Sequence, residues 1–412
     1  MKMLVKKSNA LRGEIAAGGA KNAALPIMAA SILCGDACKI YDIPALTDTE
    51  NMKEIMRGLG VRIDGNRFDS AGISRYDAPY EEVRKLRGSF LLCAPLLARF
   101  KKAYIPLPGG CQIGTRPVDL HLKGFRALGA QIDSGHGIVE ITCDKLVGNR
   151  VYLDFPSVGA TENIVMAATL ADGESVIENA AAEPEIKDLC DFLNKQGAKI
   201  CGGGSRTIYI DGVRSLSGCS YRIIPDRIEA GTYLAAFAIT HGKGMVKNVR
   251  PEHQKPLIAK LCEMGVHLYE DGDDIIIDAD CDIAAANIKT LPYPGFPTDM
   301  QAQFTSLLSV AQGTGIVVET VFENRFSHIA ELLRMGADIK TDGRTSVVEG
   351  VDRLTGASVE AHDLRAGAAL ALAGLCAEGT TEVAGAELIM RGYENFAEKL
   401  CGVGAKIDLI DE

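Results

Sequence analysis

A chain of 412 residues, 47% hydrophobic and 24% charged, has the apolar mass for two or three domains and does not read as disordered. Its formal net charge of −10 speaks against a protein that coats nucleic acid, which needs a cationic surface. No apolar run approaches the ~18 residues that cross a bilayer, and Met1 to Lys7 lacks a signal peptide's apolar core. A cytoplasmic protein without membrane insertion is therefore expected.

The first apolar segment, Ala20 to Leu33, predicts a helix with Lys21 at its N-terminal end and leads to the phrase Gly60-Val-Arg-Ile. The second, Ser89 to Ala98, begins just past Arg87 and leads to Gly129-Ala-Gln-Ile. The third, Thr161 to Leu170, leads to Gly197-Ala-Lys-Ile. In the fourth, Ile228 to Ile239 reads as a helix opened by the acidic residues Asp226 and Glu229. A strand (Gly244 to Val249) and a second helix (Glu252 to Met264) follow, the helix ended by Gly265. Two strands then flank the turn Glu270-Asp-Gly-Asp. The fifth segment, Met300 to Val310, leads to Gly336-Ala-Asp-Ile, and the sixth, Arg365 to Leu375, to Gly404-Ala-Lys-Ile.

These glycine phrases recur every 68 to 71 residues, so six copies of one unit account for the chain. Each unit reads as helix, strand, helix, strand, strand. The first helices are Ala-rich nearly all round, which predicts burial inside a domain. Six such units suggest two similar three-unit lobes, and a cleft between lobes is a usual place for a small molecule.

Charged residues mark the starts of several of these helices: Lys21, Arg87, Asp226, Arg227, Asp299, Asp363 and Arg365. Helix N-termini attract anions. The alternative is that the acids cap their helices and the bases are solvated surface. The second unit has a longer strand-to-helix connection, 24 residues against 18 to 21 elsewhere, rich in Gly and Pro and carrying Cys111 and Arg116. It reads as a catalytic lid whose thiol is favoured as thiolate by the arginine, or as an ordinary turn with an incidental cysteine. Most of the other eleven cysteines lie in apolar stretches and read as small core residues. Cys34 and Cys38 have no second pair or histidine cluster that would complete a zinc site.

Long stretches resemble the UDP-N-acetylglucosamine 1-carboxyvinyltransferases of the enolpyruvyl transferase family. They are Gly19-Ala-Lys21-Asn22-Ala-Ala-Leu-Pro, Leu107-Pro-Gly-Gly-Cys111-Gln-Ile-Gly-Thr-Arg116-Pro-Val-Asp119-Leu-His, Pro225-Asp-Arg-Ile-Glu, Phe296-Pro-Thr-Asp299-Met-Gln-Ala-Gln, Glu319-Thr-Val-Phe-Glu-Asn-Arg325 and Asp363-Leu-Arg365. The resemblance implies an α/β fold, a two-lobed inside-out α/β barrel of six repeats, three per lobe, with buried helices. Residues 21–224 would form the lobe carrying the cysteine lid, and residues 1–20 with 225–412 the second.

The same resemblance implies transfer of the enolpyruvyl group of phosphoenolpyruvate to the 3-hydroxyl of UDP-N-acetylglucosamine, with no metal or organic cofactor. Lys21, Arg116 and Arg391 would hold phosphoenolpyruvate. Asn22, Arg87, Arg116, Pro117, Val118, Asp119, Leu120, Ser157, Val158, Asp299 and Val321 would line the sugar-nucleotide site. Cys111 would be the general acid and Asp299 the base, with Asp363 near the reacting carbons and Arg325 and Arg365 at the closed interface. The closest rival is the sister transferase acting on shikimate 3-phosphate, which the Pro-Gly-Gly-Cys lid disfavours; a catalytically silent paralogue is another.

Overall fold

The repeat glycines end helices. Gly60, Gly129, Gly197, Gly265, Gly336 and Gly404 all have φ between +90° and +106°, the left-handed geometry that stops a helix and that a Cβ disfavours. These angles come from a computed structural model that describes residues 1–78, 80–107, 118–135 and 137–410. The chain divides into two units: Met1–Gly18 with Pro225 onward, and the described residues between Gly19 and Ile224. Among the described residues the strands form six sheets, five of four strands and one of three, so the protein is mixed α/β. No helix among them is long and apolar enough to cross a membrane.

In the Gly19–Ile224 unit, the helices Lys21–Ala30, Cys93–Phe100 and Val158–Thr169 share one apolar core with the inner faces of three sheets. Period-two alternation sets the register. Ala103 pairs with Ile141 and Ile105 with Val139, and all four side chains are buried. The alanines of the helices leave room for these faces, and larger side chains there would overpack by about 1–3 kcal/mol.

The other unit repeats the pattern with Arg227–Ile239, Gln301–Leu308 and Leu364–Cys376, which pack on one another. In the fourth repeat the elements following the first helix are strand Lys243–Lys247, helix Pro251–Glu263 and strands His267–Asp271 and Asp274–Asp278.

Three expectations are corrected. The second and fifth buried helices do not start as α-helix: 3₁₀ turns Arg87–Leu92 and Thr298–Met300 precede them. Pro95, which has no N–H to donate, falls in the first turn of the α-helix that begins at Cys93, where none is needed. The sixth repeat supplies no second hairpin strand. Lys2–Lys6 takes that place, antiparallel to both Thr380–Ala384 and Lys406–Ile410, with Met3 and Val5 facing the core. The cysteines, too, are less buried than expected: Cys38, Cys93 and Cys190 are buried, whereas Cys201, Cys262 and Cys401 are exposed. Apolar stretches that end at a strand edge or helix terminus leave their cysteine at the surface.

Candidate active site

In the Gly19–Ile224 unit the proposed ligand residues sit at helix starts. Lys21 opens its helix and is only 7% exposed, with Nζ 3.2 Å from Asp48 Oδ2. A buried cation at the positive end of a helix is electrostatically unfavourable; Asp48 offsets this in part, and an anionic ligand would offset it further. Asn22 follows it, half-buried. Arg87 opens the 3₁₀ turn. Val118 precedes helix Asp119–Ala127, whose first two residues are Asp119 and Leu120. Ser157 caps Val158–Thr169, its Oγ accepting from the Ala160 N–H at 3.4 Å. Cys111, Arg116 and Pro117 lie outside the described residues.

His121, absent from the expected site, ties these helix starts together. Its Nδ1 lies 2.8 Å from the Asn163 amide, and its ring stands edge-on to Phe90 at 5.1 Å. Asn163 also donates to the Phe90 carbonyl at 3.3 Å. Burial, with the nearby Arg87 charge adding, pushes the imidazole down to about 3, so it is neutral at physiological pH and accepts from Asn163. The available signal was positional: His121 is the third residue of a helix whose first two were already assigned.

In the other unit Asp299, in the 3₁₀ turn, is held by two arginines. Arg325 Nη2 is 2.7 Å from its Oδ1 and Arg365 Nη2 is 3.2 Å from its Oδ2. Both guanidiniums are nearly fully buried, so the carboxylate is fixed by strong charge-assisted bonds. Arg325 also donates to Thr298 Oγ1, which donates in turn to Glu319. Buried Glu319 further accepts from Thr290 and from the Val321 and Phe322 N–H groups, which fixes the Val321 backbone. Arg365 lies over the Tyr393 ring at 5.1 Å. Burial pulls its guanidinium down, but Tyr393, Asp299 and Asp226 outweigh this and hold it above its ordinary value. Tyr393 is in turn positioned by Gln303 and Thr232. None of Glu319, Gln303, Thr232 or Tyr393 was expected as part of the site.

Two of the acids cap helices as the alternative reading has it, and two of the bases, Lys21 and Arg365, are not solvated surface. Asp226 and Asp363 each cap a helix with Oδ1, Asp363 accepting from the Arg365 and Ala366 N–H groups. Lys21, Arg325 and Arg365 are not solvated surface but buried and paired. Arg391 ends the 3₁₀ segment Ala386–Arg391 and is half-buried.

His328, on helix Ser327–Arg334, is buried beside this cluster. Burial pushes it down to about 4; Asp363 opposes the shift and Arg325 adds to it. Above pH ~6.5 both folded and unfolded chains carry it neutral, and no stability is lost. As pH falls from ~6.5 to ~4 only the unfolded chain gains the proton, so about 3 kcal/mol of stability should disappear. Urea unfolding of the parent and of His328→Leu across that range checks this: the variant should show the shallower decline, and equal slopes would refute it.

Residues 5–400 match the family model described as EPSP synthase (3-phosphoshikimate 1-carboxyvinyltransferase). The fold matches the enolpyruvyl transferase NikO from Streptomyces tendae, with a TM-score of 0.88 over 99% of this chain and 98% of that one at 23% identity. The chain belongs to the enolpyruvyl transferase family. Within it, the chain is 52% identical to UDP-N-acetylglucosamine 1-carboxyvinyltransferase 2 of Carboxydothermus hydrogenoformans, over 100% of both chains. It is 53% identical to UDP-N-acetylglucosamine 1-carboxyvinyltransferase 1 of Caldanaerobacter subterraneus subsp. tengcongensis, over 98% of this chain and 99% of that one.

Proposed function

We propose that this protein transfers the enolpyruvyl group of phosphoenolpyruvate to the 3-hydroxyl of UDP-N-acetylglucosamine and releases phosphate, the first committed step toward peptidoglycan precursors, in the cytoplasm. The observation that carries this reading is the 52% identity over the full length to a relative named for that reaction. The Asp299–Arg325–Arg365 cluster supports it, since it presents a carboxylate in a fixed position, as a base for a sugar hydroxyl requires.

In the proposed chemistry Asp299 accepts the proton of the 3-hydroxyl as its oxygen attacks C2 of phosphoenolpyruvate. Cys111 delivers a proton to C3, giving a tetrahedral ketal. Loss of a C3 proton then expels phosphate. Lys21, Arg116 and Arg391 meet the ligand's phosphate and carboxylate charge. Asn22, Arg87, Val118, Asp119, Leu120, Ser157, Val158 and Val321 line the nucleotide sugar. Asp363 serves by orienting the start of its helix and with it Arg365.

The finer architecture belongs to the same proposal: six repeats in an inside-out arrangement, residues 21–224 forming the lobe with the cysteine lid and 1–20 with 225–412 the second. Five sheets share one strand order, an edge strand parallel to its neighbour followed by two strands in antiparallel pairing, which supports a common unit. Phosphate release from phosphoenolpyruvate should require UDP-N-acetylglucosamine. Release that instead follows shikimate 3-phosphate, or none with either acceptor, would overturn the reading.

A further inference from the structure

Cys219 meets two cysteines from a distant part of the sequence, Cys34 and Cys38, at one sheet edge in the Gly19–Ile224 unit. Cys38 lies on strand Ala37–Tyr41, and Cys219 immediately precedes strand Ser220–Arg222. These strands are parallel with Ser220 opposite Lys39, so the register places Cys219 opposite Cys38. Neighbouring parallel strands lie ~4.8 Å apart, inside the Cα separation that a disulfide spans. Gly218 permits the approach, because a Cβ there would fall 2.2 Å from the Ala37 carbonyl oxygen. Cys34 Sγ stands 3.6 Å from Cys38 Sγ, and Gln196 Nε2 donates to Cys38 Sγ at 3.3 Å.

The three thiols differ in exposure. Cys38 is fully buried, whereas Cys219 is half-buried and lines an open surface cavity of about 430 Å³ with Lys39, Arg67 and Ser220. A small oxidant can reach Cys219 there, beside two cationic side chains. The neighbouring Cys38 side chain lowers the Cys219 thiol below its ordinary value, against burial and with help from Lys195; Cys219 in turn raises Cys38. Burial and its bond to Cys38 also raise Cys34. One accessible thiolate-prone sulfur therefore sits against one buried, protonated partner.

We propose that Cys219 and Cys38 are a peroxide-responsive modification site that closes a disulfide between the first and last strands of this sheet. The Cys219 thiolate attacks hydrogen peroxide; the S–O bond forms, the O–O bond breaks, and hydroxide leaves. The Cys38 thiol gives its proton to the departing hydroxyl and attacks the Cys219 sulfur. The S–S bond forms, the S–O bond breaks, and water leaves. Overall two thiols lose two electrons to one peroxide; the hydroxide takes up the proton that Cys219 released on ionising, so two waters result. Cys34 remains a hydrogen-bond partner of Cys38.

The test treats the folded protein with hydrogen peroxide, blocks free thiols and maps cross-linked peptides by mass spectrometry. A Cys38–Cys219 cross-link is expected in the parent and in Cys34→Ser, and not in protein first unfolded in urea and diluted. In Cys38→Ser the reaction should stop at a Cys219 sulfenic acid, trapped by dimedone roughly ten-fold faster than the exposed Cys201, Cys262 and Cys401. Labelling of Cys219 no faster than Cys201 would overturn the proposal. So would a Cys34–Cys38 cross-link that forms equally fast in Cys219→Ser.

Discussion

Asp299→Asn is expected to lower phosphate release by about 10²- to 10⁴-fold, the usual contribution of a positioned general base. The amide keeps the shape of the side chain and its one oxygen can still accept from one of the two arginines, which lie 2.7 and 3.2 Å from separate carboxylate oxygens in the parent, while its NH2 faces the other. It cannot take the proton of a hydroxyl. The substitution also deprives two nearly buried guanidiniums of their paired carboxylate, which adds a structural component to the effect. Urea unfolding and binding of UDP-N-acetylglucosamine separate the two. A folded variant that binds the nucleotide sugar but turns over slowly supports the base. Turnover within a few-fold of the parent would remove Asp299 from proton transfer and leave it as an anchor for the arginines.

Cys111 carries the second large effect, and two substitutions divide its possible jobs. A general acid needs a donatable proton, whereas attack on an electrophile needs a soft thiolate. Cys111→Asp should keep measurable transfer with its optimum moved to lower pH, because the carboxyl works only when protonated. Cys111→Ser should fall by about 10²-fold or more, since a hydroxyl is too weak an acid. The parent thiol should be alkylated by fosfomycin, a phosphonate epoxide, and Cys111→Asp should resist. The measurements are pH–rate profiles and mass spectrometry of the treated enzyme. A fully active Cys111→Ser enzyme, or alkylation confined to the buried Cys93, would exclude Cys111 from the chemistry.

Much of the candidate site was legible in the sequence because its parts are local. Lys21, Asp299 and Arg365 sit at starts of helices that their own flanking residues define, and the motifs around them are contiguous. What could not be read was which charges are buried and against what. Nothing near Asp363 in sequence distinguishes a cap that accepts from two N–H groups from a group facing ligand. Nor does the chain announce that Glu319, twenty residues past Asp299, holds Thr298 and the Val321 backbone at once.

By itself the sequence determined the evenly spaced glycine phrases, the helix ends that those glycines make and the apolar segments that become buried cores. These depend on φ preference and on periodicity, which act over a few residues. Only the tertiary structure decided that Lys2–Lys6 completes the last sheet, that His121 joins Asn163 and Phe90 from two other segments, and that Cys38 faces Cys219. Such pairings bring together residues separated by tens to hundreds of positions. They are chosen by which edges and faces remain to be covered once the local elements have formed, information that no single segment contains.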